Sequence, residues 1–316
     1  MKFISKYCLV LASAALLLAS ISLTAQTPTQ TLISVESKTG AAPAMADIAI
    51  KVGGKATPLT GWDPMLSGKG TVQIAILIDS SLHQSMAQQA ADIQNFITHL
   101  PPNVLVFVGY IESSHVTTVH DFSNNHTEVA AAVKPPAGGG HAAGDNPYQA
   151  MGDMAKRWPI TPAARIALLL TNGVDPGVSG GGAPSADGTD MASGGGESAN
   201  IHPAADAAAK SGIAVYSIFY NESASLGSDA LAGGASALNQ LAEATGGISY
   251  AEGTRSPVLL GPVMDRFNKA LQSTFVASFS TPANKKTVSL KATAKDAKLH
   301  AADNVLPGNL EAPPAQ

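Results

Sequence analysis

A chain of 316 residues, 45% of them hydrophobic, has material for one large α/β domain plus a smaller module, and that content excludes wholesale disorder. Nineteen basic against 23 acidic residues give a net charge of −4. With no basic run, and no aromatic residues interleaved with Lys or Arg, no nucleic-acid partner is expected.

The first 25 residues read as a secretory signal. Lys2 and Lys6 form a basic start, Cys8 to Ala19 an apolar core, and Leu23-Thr24-Ala25 a small-residue cleavage point. The apolar run is shorter than the ~20 residues of a membrane span, and Gln26-Thr27-Pro28 comes directly after it. Cleavage is therefore expected, and no membrane span is expected in the mature chain. It removes two lysines and the only cysteine, taking the charge to −6. The mature chain then has no disulfide, thiol nucleophile or cysteine ligand. Its expected address is the periplasm, the cell surface or the extracellular space.

Residues 26–70 carry short strand signals at Leu32, Val35 and Ile48 to Val52, with Gly53-Gly54 as a hairpin turn and Lys55 to Leu59 as the return. This part is too small to bury its own core and should pack on something else. From Thr71 the pattern becomes strand alternating with helix. Thr71 to Ile78 is a continuous apolar strand that runs into Asp79, Ser80 and Ser81. Gln84 to Leu100 has helical spacing and ends at Pro101-Pro102, and Val104 to Ile111 is a second buried strand. Val116 to Phe122 alternates, as an antiparallel edge strand would. Asn125 to Val133 and Asn146 to Trp158 are helices, and Arg165 to Leu170 is a third buried strand ending in Thr171-Asn172-Gly173.

Residues 176–200 hold eight glycines and four serines and read as a flexible insertion. A helix at Ala204 to Lys210, a strand at Ile213 to Tyr220, a helix at Ala235 to Ala244, a short strand at Ile248 to Tyr250 and a helix at Val258 to Leu271 come next. Thr274 to Phe279 and Thr287 to Ala292 alternate around a turn at Pro282 to Lys286 and read as a terminal hairpin. Residues 307–316 read as a mobile tail. Trp62 and Trp158 are expected to pack between module and domain. Gly177-Val178-Ser179-Gly180-Gly181 fits the pattern of a serine nucleophile, but a glycine-rich loop is not the tight strand-to-helix turn that chemistry needs.

Asp79 and Ser81 stand at the carboxyl end of a parallel strand, where open α/β sheets place ligand sites. The order and spacing of ILIDSS, PPAGGG, LLLTNG and LNQLAEATGGISY resemble the von Willebrand factor A domain family, in particular an exported bacterial type with a small β-module wrapped around the A domain. The resemblance spans roughly Leu32 to Asn304, with the A domain proper at 71–271. It implies a Rossmann-like, doubly wound, mostly parallel sheet with one antiparallel edge strand. Residues 26–70 and 272–306 would supply the flanking module. It also implies protein–protein interaction or adhesion through the top loops rather than catalysis.

In that family an Asp-x-Ser-x-Ser strand end, a loop Thr and a later Asp bind Mg²⁺ or Mn²⁺, which takes a carboxylate from a protein partner. Asp79 and Ser81 match. The second Ser falls on His83, the Thr on His141 and the later Asp on Asn172. Imidazoles and an amide work against magnesium, which wants hard oxygen ligands. The expectation is thus a lapsed site, at Asp79, Ser81, His83, His141 and Asn172. One alternative is Zn²⁺, Mn²⁺, Fe²⁺ or Ni²⁺ held by Asp79, His83 and His141, as a metal-binding protein or a metal-dependent hydrolase. Another is a structural component of a cell-envelope assembly that needs no site.

Overall fold

The computed structural model describes residues 26–135, 145–176, 198–220, 228–251, 259–283 and 286–309, and only the backbone of residues 83–86, 88 and 228. The expected signal segment, nearly all of the glycine-rich insertion and the Gly177 to Gly181 motif lie outside the described residues.

The chain opens with β1 (Gln26–Ser37), β2 (Ile48–Val52), β3 (Lys55–Thr57) and β4 (Leu59–Pro64). The β2–β3 turn runs through Gly53 and Gly54, at φ 56° and 78°. Both lie in the left-handed region, the backbone of a two-residue hairpin turn that glycine enters without strain.

β5 (Val72–Asp79) leads through a 3₁₀ turn (Ser80–Leu82) into α1 (His83–Thr98). β6 (Val104–Glu112) and β7 (His115–Ser123) follow as an antiparallel pair, then α2 (His126–Ala132) and α3 (Pro147–Arg157). Helix α3 starts where its sequence dictates. Asn146 Oδ1 accepts the N–H groups of Tyr148 and Gln149 at 3.1 and 3.0 Å, and Pro147 needs no partner in the first turn. The body is completed by β8 (Ala164–Thr171), α4 (Ile201–Ser211), β9 (Ile213–Phe219), α5 (Ser228–Thr245), β10 (Ser249–Tyr250) and α6 (Leu260–Gln272).

These strands form a six-stranded sheet in the order β10-β9-β8-β5-β6-β7. All its pairs are parallel except β6 with β7, so the sheet is mixed, with the antiparallel strand at one edge. β5 lies in its middle and is buried along its whole length. Its side chains alternate between two cores, as the period of two requires. Val72, Ile74, Ile76 and Ile78 pack with apolar residues of α1, α2 and α6. Ala75 and Leu77 pack with those of α3, α4 and α5. Among the described residues no helix is long and apolar enough to cross a membrane.

The remaining strands are β11 (Thr274–Pro282), β12 (Val288–Ala294), β13 (Ala297–Ala301) and β14 (Asn304–Val305). With β1 to β4 they make two four-stranded sheets, β13-β1-β11-β4 and β14-β12-β2-β3. The first leans on the body: Leu32, Met65 and Val276 join the core that lies on the α1 side of the large sheet.

Three expectations are corrected here. β11 and β12 do not pair as a terminal hairpin. β11 lies between β1 and β4, while β12 lies between β2 and β14, because N-terminal strands take both edges of β11 and one of β12. The expected tail is anchored at its start: Gln30 N–H donates to the Asn309 carbonyl at 2.7 Å, and Gly308 N–H to Thr29 Oγ1 at 2.9 Å. Finally, the tryptophans do not bridge module and domain. Trp62 stacks on Phe275 within one flanking sheet, with ring centroids 4.5 Å apart, and Trp158 is buried inside the body against Phe122.

Candidate functional site

Asp79 is the last residue of β5 and 1% exposed. One of its carboxylate oxygens accepts the Ser81 N–H at 2.9 Å, closing a short turn that starts the 3₁₀ segment. The other accepts the hydroxyl of Thr171 at 2.7 Å, from the carboxyl end of neighbouring β8. Burial pushes the Asp79 carboxyl up from its ordinary 3.8; the Ser81 and Thr171 donors oppose this, and the nearby Asp145 carboxylate adds to the rise.

Of the five residues read from the sequence as a metal site, the structure describes three as complete side chains. Asp79 and Ser81 are brought together. Asn172 is close in the chain to the contact but does not make it: its Oδ1 accepts the Val174 N–H at 2.9 Å and shapes its own turn. His83 opens α1, but its side chain lies outside what is described, as does the whole of His141. Thr171, one residue before Asn172, is the group that reaches Asp79, and it also accepts the Gly173 N–H at 3.1 Å. Its position as the final residue of a buried strand was the available signal.

Two further acids were missed. Asp145 is 6% exposed; its oxygens accept the Ser80 hydroxyl at 3.2 Å and the Ser114 N–H at 3.0 Å, tying the β5 end to the β6–β7 turn. Asp175, also 6% exposed, accepts the hydroxyl of Ser198 and, at 3.0 Å, the side-chain N–H of Asn200, joining the two ends of the segment between them. Tyr148, on α3, donates to the Gly173 carbonyl at 2.6 Å. Burial and the Asp175 carboxylate push its phenol far up, so it remains a donor across the physiological range. The signal for Asp145 was its place just before the Asn146-Pro147 helix start. A helix that begins at the carboxyl end of a parallel sheet brings its preceding residue to the site.

Mg²⁺ asks for an octahedron of hard oxygens. Here both Asp79 oxygens already accept internal donors, and the Asn172 amide oxygen is committed to Val174. Among the described residues no three His, Cys, Asp or Glu side chains converge closely enough to hold a metal ion. What the arrangement does is mechanical: buried carboxylates act as acceptors that fix the loops at the top of the sheet relative to one another.

No protein-family profile and no curated protein matches the chain. Among solved structures it is similar to an aerotolerance-related membrane protein from Bacteroides fragilis (13% identity, covering 63% of this chain and 98% of that one, TM-score 0.40). It is similar also to BatB from Bacteroides thetaiotaomicron (14%, 64% and 100%, TM-score 0.41). A third is the von Willebrand factor domain of the type V pili tip protein Mfa5 from Porphyromonas gingivalis (14%, 65% and 96%, TM-score 0.40).

Proposed function

We propose that this chain is an exported, non-enzymatic protein-interaction module of von Willebrand A type. It is built on a doubly wound sheet, carries a flanking β-module from residues 26–70 and 272–306, and engages its partner through the loops at the top of the sheet without a metal. The observation that carries the reading is Asp79: a carboxylate at the carboxyl end of the central strand, with both oxygens turned inward to Ser81 and Thr171. A residue at the site of a metal ligand, but used as a loop-fixing acceptor, fits a surface that has kept its shape after the metal chemistry lapsed. The sequence order of strand end, glycine-rich loop and Thr-Asn-Gly turn supports the family, and the parallel strands flanking β5 support its frame.

The test uses a Cys8→Ser chain carrying Ser113→Cys at the exposed β6–β7 turn, coupled to a bulky maleimide. The same label at Lys291→Cys, on exposed β12, serves as control. Capture from an envelope fraction that survives the Lys291 label and EDTA, and is lost with the Ser113 label, supports the reading. Capture abolished by EDTA and restored by Mn²⁺ or Zn²⁺ overturns its metal-independent part. Equal capture with either label overturns the top face. Stoichiometric metal in the purified protein, lost in His83→Ala and His141→Ala, would replace the reading with the transition-metal alternative.

A further inference from the structure

At the opposite end of the sheet, about 20 Å from Thr171 if β8 rises ~3.3 Å per residue back to Arg165, the link between α3 and β8 carries Ile160 wholly in water, at 100% exposure. A single exposed apolar residue is ordinary. This one is set apart by how firmly it is held. Arg165 is 9% exposed and donates to the carbonyls on either side of it, Pro159 at 3.3 Å and Thr161 at 2.7 Å, as well as to the carbonyl of Ser211. Thr161 N–H donates to the Pro159 carbonyl at 3.0 Å, closing the bend. Underneath, the Trp158 indole N–H donates to Gln73 Oε1 at 2.8 Å. An apolar tip presented on a pinned bend loses little conformational freedom on contact, which is what makes an anchor effective.

Beside the tip lies a cleft of about 380 Å³. Lys156, Arg165 and Lys210 contribute its charge, Trp158 and Leu306 part of its apolar wall, and among the described residues no acidic side chain lines it. Lys156 is 3.1 Å from Asp153, an exposed pair that leaves the ammonium open to a second carboxylate. Lys210, in the last turn of α4, has no carboxylate partner among the described residues. On a chain of net charge −4 this face runs against the sign of the whole.

We propose that this lower cleft is a second docking surface, whose occupant is an acidic segment of a partner protein that sets an apolar side chain against Ile160 and carboxylates against Lys156 and Lys210. It lies at the other end of the strands from Asp79 and does not depend on the top-face reading.

The probe is a fluorescein-labelled peptide of alternating Leu and Glu, followed by anisotropy against the full chain, with a Leu–Lys peptide of equal length as counterpart. The Glu peptide is expected to bind and the Lys peptide not. Ile160→Ser, and separately Lys156→Glu with Lys210→Glu, should each weaken binding by about tenfold, one anchor's worth. Asp79→Asn should leave it unchanged. The Ile160, Lys156 and Lys210 variants lie on the surface, so an unchanged thermal midpoint shows that they fold. Binding of both peptides alike, or Glu-peptide binding indifferent to these substitutions, overturns the proposal. So does a concentration-dependent dimer in sedimentation that Ile160→Ser dissolves, since the occupant would then be a second copy of this chain.

Discussion

The Thr171 hydroxyl donates to a carboxylate that is almost wholly removed from solvent, so deleting it leaves a buried acceptor short of a donor. Thr171→Val is expected to lower stability by about 1–3 kcal/mol, the cost of an unsatisfied buried group, with Thr171→Ser recovering most of it. Urea unfolding of the three proteins checks this; equal midpoints would show that Asp79 does not rely on the hydroxyl. The raised Asp79 pKa has a definite sign. A carboxyl whose folded value lies above its unfolded 3.8 binds its proton more tightly when folded, so its contribution to stability falls as pH rises above 3.8 and levels off past the folded value. Asp79→Asn has no such titration. With EDTA present, its thermal midpoint should therefore gain on the wild type as pH rises from about 4 to 7; a gap constant across that range refutes the shift. At this scale Asp79 and Ser81 were legible from residue type and strand end alone. Thr171, Asp145 and Asp175 were not, because their roles depend on which hydroxyl or amide faces them across the loops, and spacing along the chain does not encode that.

Between elements, a tight constraint is the contact of α5 with the turn after β8. A Cβ on Gly234 would stand 2.3 Å from the Asn172 carbonyl oxygen, and one on Gly173, at φ 68°, would stand 2.5 Å from the Gly234 carbonyl. Two backbones meet there without side chains between them, and neither can retreat as a flexible side chain would. Gly234→Ala is expected to cost about 1–3 kcal/mol, the range for overpacking, while Gly233→Ala, with open space around it, should be neutral or slightly stabilising. Denaturant midpoints for the pair measure the contrast directly. Most of the helices and strands of the large sheet were readable, since its central strand is apolar on both faces and its helices carry one apolar stripe each. The terminal strands were readable as strands but not as partners. Alternation in Thr274 to Phe279 says which face a side chain takes, yet carries nothing about which strand lies next door, and the nearest alternating stretch was the wrong choice.

Across the whole molecule, the flanking sheets are held by contacts between distant parts of the sequence. Thr29 and Thr281 share a hydroxyl–hydroxyl hydrogen bond of 2.8 Å across 252 positions, and the segment at Gly308 and Asn309 then lies along the same stretch of β1. A chain ending after Leu306 should be less stable than one ending after Asn309 by about 1–3 kcal/mol, for two lost hydrogen bonds at ~0.5–1.5 each. Thermal melts of the two truncations check it, and identical melts would show that the anchoring is dispensable. Pairing at such separation also sets a clock. A ribosome working at roughly 5–20 residues per second needs about 10–50 s to travel from Thr29 to Thr281. For all of that time the twelve residues of β1 are a synthesised strand whose partner does not exist. The nascent protein must therefore carry an open edge, or have it covered by something other than itself, until the segment around Thr281 has been made.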